Sequence, residues 1–301
     1  MKYEESSISE LMIKLLTPDS SAFVNWVEVY DPQDVSEHFS PLYYTCEACL
    51  MKATISLLKN GVDVITRMKG NYGHVLQVAL AEGHKEIAKL LVENGADVNA
   101  QGGHHGNALQ IATFCGHEAI AKLLIENGAD INATEGQYGS ALQVASYKGQ
   151  DAIAKLLMEN GADVNALGGR YGNALQTASC EGYEAIARLL IVHGADVNVQ
   201  GGAYGNALQA ASYHGHEATA KLLVKNGADI NAQGGLYGTA LQAASFCGYE
   251  AVVKLLIENG ADVNAQGGCY GNALQAASLG WNKAIVKLLI GCGAVEKIQA
   301  E

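Results

Sequence analysis

Residues 101–133 read Gln101-Gly-Gly-His-His-Gly-Asn-Ala-Leu-Gln-Ile-Ala-Thr-Phe-Cys-Gly-His-Glu-Ala-Ile-Ala-Lys-Leu-Leu-Ile-Glu-Asn-Gly-Ala-Asp-Ile-Asn-Ala133, and the same pattern returns along most of the chain. Its marker is the dipeptide Leu-Gln, found at Leu76-Gln77, Leu109-Gln110, Leu142-Gln143, Leu175-Gln176, Leu208-Gln209, Leu241-Gln242 and Leu274-Gln275, seven times at a constant spacing (109 − 76 = 33 residues). A fixed period of this length signals a solenoid in which one supersecondary unit stacks on the next. Residues shared by every copy serve the stacking. A specific function is sought where the copies differ.

The copies open on a Gly-Gly-x-Tyr-Gly tract or a close variant of it, whose glycines supply the positive φ values of a tight turn. The next position holds His74, Asn107, Ser140, Asn173, Asn206, Thr239 or Asn272. All but the histidine are preferred N-caps, accepting from free N–H groups of a first helical turn. An Ala-rich helix follows and stops at glycine, as at Gly149, Gly182 and Gly215. A second helix is amphipathic, with Ile120, Leu123 and Leu124 at helical spacing. Its polar side carries the acid-to-base pairs Glu118–Lys122, Asp151–Lys155, Glu184–Arg188, Glu217–Lys221 and Glu250–Lys254 at i,i+4, read as a solvated face. Asn-Gly closes this helix, and Ala-Asp-Val-Asn-Ala leads as extended chain into the next turn.

This order of turn, helix, turn, helix and extended link resembles the ankyrin repeat, with Gly-His and Leu-Leu-x-x-Asn-Gly-Ala-Asp-Val-Asn-Ala at the family's offsets. The resemblance covers seven repeats over residues 66–298. Ser40-Pro41-Leu42-Tyr43 is similar to the family's Thr-Pro-Leu-His opening and implies a degenerate repeat over residues 40–65. The resemblance implies an all-α ankyrin-repeat solenoid with short β-hairpin turns. Later copies carry Asn-Ala-Leu-Gln instead, losing the proline that pre-sets the first helical φ. Being uniform, the change is read as a dialect of the repeat and not as a site. The near-identical Tyr-Gly-Asn-Ala-Leu-Gln-Ala-Ala-Ser copies resemble the ankyrin arrays of fungal NACHT-type (STAND) signalling receptors, although no nucleotide-binding domain accompanies them here. In residues 1–39, the capping-box pattern Ser7-x-x-Glu10 with Ile8, Leu11, Met12, Leu15 and Leu16 predicts a helical cap over the first repeat.

Net charge is −12 and no basic stripe exists, so the chain is a poor candidate for nucleic acid. No apolar run approaches the ~18 residues that span a bilayer. The N-terminus has no apolar signal-peptide core, and seven scattered cysteines suit reduced thiols, so the expected location is the cytoplasm.

The search for chemistry yields architecture instead. Cys46-Glu-Ala-Cys49 has no second Cys pair or His pair to complete a zinc site, and reads as packing thiols. His105 fills the slot that tyrosine holds in other copies, and His216 the slot of His84 and His117. The glycine tracts lack a GxxxxGK[ST] sequence, and no GxSxG or HExxH occurs. Asp97, Asp130, Asp163, Asp196, Asp229 and Asp262 belong to the repeat and read as hydrogen-bonding groups of the links. The chain is expected to be no enzyme and to need no cofactor and no metal.

Two columns vary. One ends the first helix: Ala81-Glu82, Phe114-Cys115, Tyr147-Lys148, Cys180-Glu181, Tyr213-His214, Phe246-Cys247 and Leu279-Gly280. The other is the turn tip: Asn71, His104, Gln137, Arg170, Ala203, Leu236 and Cys269. The ankyrin resemblance implies that both face a concave groove, on the order of 60–80 Å long if helices stack ~8–10 Å apart. The expected partner-binding residues are Phe114, Tyr147, Lys148, Tyr213, His214, Phe246, Leu279, His104, Gln137, Arg170 and Leu236. Rows of exposed aromatic residues are enriched at protein interfaces. The competing expectation is that these rings pack on neighbouring helices and stiffen the array. The function expected is non-catalytic binding of a protein partner by a monomer. The alternative is a sensor or autoinhibitory segment of a larger fungal signalling receptor.

Overall fold

The computed structural model describes residues 40–65, 73–102 and 106–295, so the expected cap at 1–39 lies outside the described residues. The chain forms two bodies, Met1–Ile131 and Asn132–Glu301, and each is described by itself. The first holds α1 (Pro41–Glu47), α2 (Met51–Lys59), α3 (Val75–Ala81), α4 (Lys85–Glu93), α5 (Ala108–Phe114) and α6 (Glu118–Glu126). The second holds α7 (Ala141–Lys148), α8 (Asp151–Glu159), α9 (Ala174–Glu181), α10 (Glu184–Val192), α11 (Ala207–His214), α12 (Glu217–Lys225), α13 (Ala240–Cys247), α14 (Glu250–Glu258), α15 (Ala273–Leu279) and α16 (Lys283–Gly291). The expected all-α repeat fold is the one observed, and its hairpin turns are narrow. Single antiparallel bridges join Gly168 to Gly172, Gly201 to Gly205, Gly234 to Gly238 and Gly267 to Gly271.

Within each body, a first helix packs on the first helix of the next repeat and on its own second helix. The core between them is largely aliphatic: Leu109, Leu124, Leu157, Leu175, Leu190, Leu208 and Leu223 are fully buried. Burying a leucine side chain contributes roughly 1.5–3 kcal/mol, so these leucines carry much of the stacking energy.

The caps form as the sequence predicts. Asn173 Oδ1 accepts from the Gln176 N–H at 2.9 Å, and the Asn173 N–H donates back to Gln176 Oε1 at 2.7 Å. The glutamine has a second task. Its Nε2 donates to the carbonyls of Val199 (3.2 Å), Gly201 (3.1 Å) and Gly205 (2.8 Å) in the next repeat. Gln77, Gln143, Gln209 and Gln242 donate in the same way. What reads as a dialect is therefore a staple: one buried carboxamide caps its own helix and holds the following turn.

The links use a second ladder. Asn165 Nδ2 donates to Gly194 O at 3.2 Å, and the Asp196 N–H donates to Asn165 Oδ1 at 2.9 Å. The Asp196 carboxylate accepts from the Asn198 N–H at 2.9 Å, so the aspartate row does hydrogen-bond within the links. The polar faces of the second helices need one correction. Glu184 pairs with Arg188 and Glu250 with Lys254, as expected, but Lys122 reaches forward to Glu126 (4.0 Å) and Lys155 to Glu159 (3.8 Å). With acids at both i−4 and i+4, an exposed lysine has two nearly equivalent partners, and either pair contributes little.

Candidate protein-binding surface

In the second body the variable rings and the turn tyrosines interleave. Tyr147, at the end of α7, stacks on Tyr138 of its own turn at 4.7 Å and on Tyr171 of the next at 5.9 Å between ring centroids. Tyr213 stacks on Tyr237 at 4.2 Å and lies tilted against Tyr204 at 5.3 Å, and Phe246 stacks on Tyr270 at 4.2 Å. Direct turn-to-turn stacking continues the row through Tyr171–Tyr204 (6.5 Å), Tyr204–Tyr237 (6.2 Å) and Tyr237–Tyr270 (6.0 Å). All eight rings are half-buried. Stacked aromatic pairs contribute about 0.5–1.5 kcal/mol beyond the area they bury, so the row is both a packing element and a partly open surface.

The expected site residues fall into three groups. Tyr147, Tyr213, His214 and Phe246 are brought together through the turn tyrosines. Lys148, Gln137, Arg170, Leu236 and Leu279 are exposed, with Arg170 Cζ 5.9 Å from the centre of the Tyr171 ring. Phe114 ends α5 half-buried in the first body, and His104 lies outside the described residues. The tyrosines at 138, 171, 204, 237 and 270 are absent from the sequence-derived set. Their presence in all copies but the one with His105 marks them as architecture, yet they complete the surface.

Between Tyr147 and Phe246 the ring column breaks once, at Cys180, which takes the slot of Tyr147 and Tyr213. There a polar cluster replaces the ring. Cys180 Sγ lies 3.2 Å from His214 Nε2, and that nitrogen lies 2.9 Å from the Tyr204 hydroxyl. Burial pushes the Cys180 thiol up to about 12, with the Glu181 charge adding to the effect. Burial also lowers the His214 imidazole, helped by His216. Tyr204 is raised, first by burial and then by Cys180. All three groups are neutral near pH 7, so the thiol lacks the thiolate character of a nucleophile.

The remaining candidates for chemistry serve the packing, with one correction: of the two thiols expected to pack, only Cys46 does so. Cys46 is fully buried and pushed up to about 12, chiefly by burial, whereas Cys49 is exposed at φ 54 in the slot of the helix-ending glycine. His216 Nε2 lies 2.9 Å from Cys180 O of the preceding repeat, and His117 Nε2 lies 3.4 Å from Ala81 O. Among the described residues, no group of three or more His, Cys, Asp or Glu is placed to hold a metal ion, and no helix is long and apolar enough to cross a membrane.

Capped helix pairs, narrow hairpin turns and stapled neighbouring repeats define a repeat scaffold. The chain belongs to the ankyrin-repeat family, whose repeats match residues 42–135, 103–168, 142–234, 175–267 and 248–290. Among solved structures it resembles the human ASB11 ankyrin repeat domain, with TM-score 0.63 and 25% identity over 75% of this chain and 99% of that one. It is also similar to the azaphilone pigments biosynthesis cluster protein L of Monascus ruber, 46% identical over 110 residues. That match covers 30% of this chain and 23% of the relative, so the chain spans less than a quarter of that protein's length. Ankyrin arrays are generally protein–protein interaction modules and typically non-catalytic.

Proposed function

We propose that this chain is a non-catalytic module that binds a protein partner through the ends of its first helices and its turn tips. The carrying observation is that Tyr147, Tyr213 and Phe246 vary between copies, stay half-open, and are held by stacking at 4.2–5.9 Å on the turn tyrosines. Such a surface is ordered before the partner arrives, so association need not immobilise loose side chains. Arg170, Lys148, Gln137 and Leu236 vary around it and set its selectivity. The module acts as a monomer in the cytoplasm, on a protein and not on nucleic acid or membrane.

A second function, as a sensor or autoinhibitory segment of a larger fungal signalling receptor, draws support from one observation. The fungal relative is much longer than the stretch it shares with this chain.

Hydroxyl-radical footprinting of the chain in buffer and in native cytosol tests the primary proposal. Tyr183 and Tyr249, exposed on second-helix N-caps, serve as internal references. Protection of Tyr147, Tyr213 and Phe246 relative to those two supports the proposal, and equal oxidation of both sets overturns it.

A further inference from the structure

The last described repeat departs from the pattern at several neighbouring positions, and each departure is locally unfavourable. Earlier repeats place glycine after the first helix, and the following repeat occupies the space its Cβ would need. A Cβ at Gly149 would lie 2.8 Å from the Tyr183 ring, at Gly182 2.4 Å from the His216 ring, and at Gly248 2.6 Å from the Asn282 amide. The last described repeat has Trp281 in this slot, left-handed at φ 60 and 86% exposed. A bulky residue is disfavoured in that backbone region, and an indole is disfavoured in water.

The charges depart in the same place. Helices α6, α8, α10, α12 and α14 begin with Glu118, Asp151, Glu184, Glu217 and Glu250, which complement the positive end of the helix dipole. Helix α16 begins instead with Lys283 and has no acid in its first turn. Lys287 stands one turn on, a like-charge i,i+4 pair. Residues 263–295 contain these two lysines and no Asp or Glu, in a chain of net charge −12. Trp281, Lys283, Val286 and Lys287 wall an open cleft of about 330 Å³, and Leu279 is 58% exposed nearby in sequence.

We propose that this cleft is a second docking site, separate from the ring surface, for an acidic segment of a partner protein. An apolar side chain of the segment seats against the Trp281 indole, and its carboxylates meet Lys283 and Lys287. Charge selects the occupant. A two-fold contact with a second copy would bring lysines against lysines. An anionic membrane surface is recognised by broader clusters, about 4–8 Lys or Arg. A short acidic peptide needs only the two cations present and a concave apolar wall.

The test uses the full chain with Trp26→Phe, which leaves Trp281 as its one tryptophan, and reads indole emission. The probe is the capped peptide Asp-Glu-Leu-Phe-Glu-Asp; the control replaces each acid by lysine. The expected result is a saturable blue shift with the acidic peptide, weakened by salt, and at least tenfold weaker binding in the Lys283→Glu/Lys287→Glu variant. Lys283→Glu restores the repeat's own residue, Lys287 is exposed, and circular dichroism of the variant separates loss of binding from loss of fold. Equal shifts with both peptides, or none with the acidic one, overturn the proposal. A shift produced by vesicles with 30% anionic lipid but not by the peptide also overturns it. So does a blue shift that appears with chain concentration alone, which assigns the cleft to self-association. Binding at the ring surface is read by its own variants and is independent of each of these outcomes.

Discussion

Gln176 Nε2 donates to the carbonyl of Gly205 at 2.8 Å, while Gln176 Oε1 accepts from the Asn173 N–H at 2.7 Å. One buried side chain thus ties its own helix start to a turn 29 residues further along the chain. Every polar atom of the carboxamide is used. Replacement at this position leaves the Asn173 N–H without its acceptor and takes a donor from the carbonyls of Val199, Gly201 and Gly205, the last of which keeps the Gly201 N–H at 2.7 Å.

Gln176→Ala should therefore cost about 2–4 kcal/mol, since each buried group left unpaired costs roughly 1–3. Gln176→Glu should be destabilised as well, because a carboxylate still accepts from Asn173 but faces the carbonyls of Val199, Gly201 and Gly205 without a proton to donate. Urea unfolding followed by circular dichroism checks both. Near-neutral values for the pair would remove the staple from the account.

Leu175→Ala and Leu208→Ala should each lose ~2–5 kcal/mol, as buried leucine truncations do when the cavity cannot collapse. Both side chains are fully buried between first helices. Because a repeat array can unfold in parts, the midpoint and the breadth of the melt should both change.

Thiol chemistry should divide by depth. Cys115, Cys269 and Cys292 are exposed and should alkylate within the first phase at pH 8. Cys46 and Cys180 are buried and pushed up to about 12, so their thiolate fraction stays small until well above pH 10. Mass spectrometry of an iodoacetamide time course reads the order. Early labelling of Cys180 would mean that the ring row opens readily.

Trp281→Gly should keep or raise stability by up to about 1 kcal/mol, relief of left-handed strain being partly offset by a freer unfolded chain. A clear loss of stability would show that the indole packs in solution against something that its 86% exposure does not reveal.

What the sequence makes legible here is what lies close along the chain. The N-caps at Asn107, Ser140 and Asn173 are visible because cap and helix adjoin. Contacts that span a repeat are not visible, since nothing in Leu175-Gln176 points to Gly205. The same holds for the candidate surface. Variation marks Tyr147, Tyr213 and Phe246, but uniformity hides the tyrosines on which they stack. Cys180 stands in the variable column as a small thiol, and only the approach of Tyr204 and His214 from the next repeat makes it a polar notch. Competing partners also blur the ion pairs: Lys122 has acids on both sides, and spacing alone does not choose Glu126 over Glu118.

The central claim is that the open rings bind a partner while the stapled stack carries the fold. Affinity capture from native cytosol tests it with the wild-type chain beside Phe114→Ser/Tyr147→Ser/Tyr213→Ser/Phe246→Ser, with melting followed for both. The account predicts a protein that the wild type retains and the variant loses, with the variant still helical and cooperatively folded. Its stability should fall by about 0.5–1.5 kcal/mol per lost ring pair in addition to the area those half-buried rings bury, with a lower Tm that still marks a cooperative transition. Equal retention by both chains, or a variant that no longer folds, would contradict the claim and return these rings to the packing of the array.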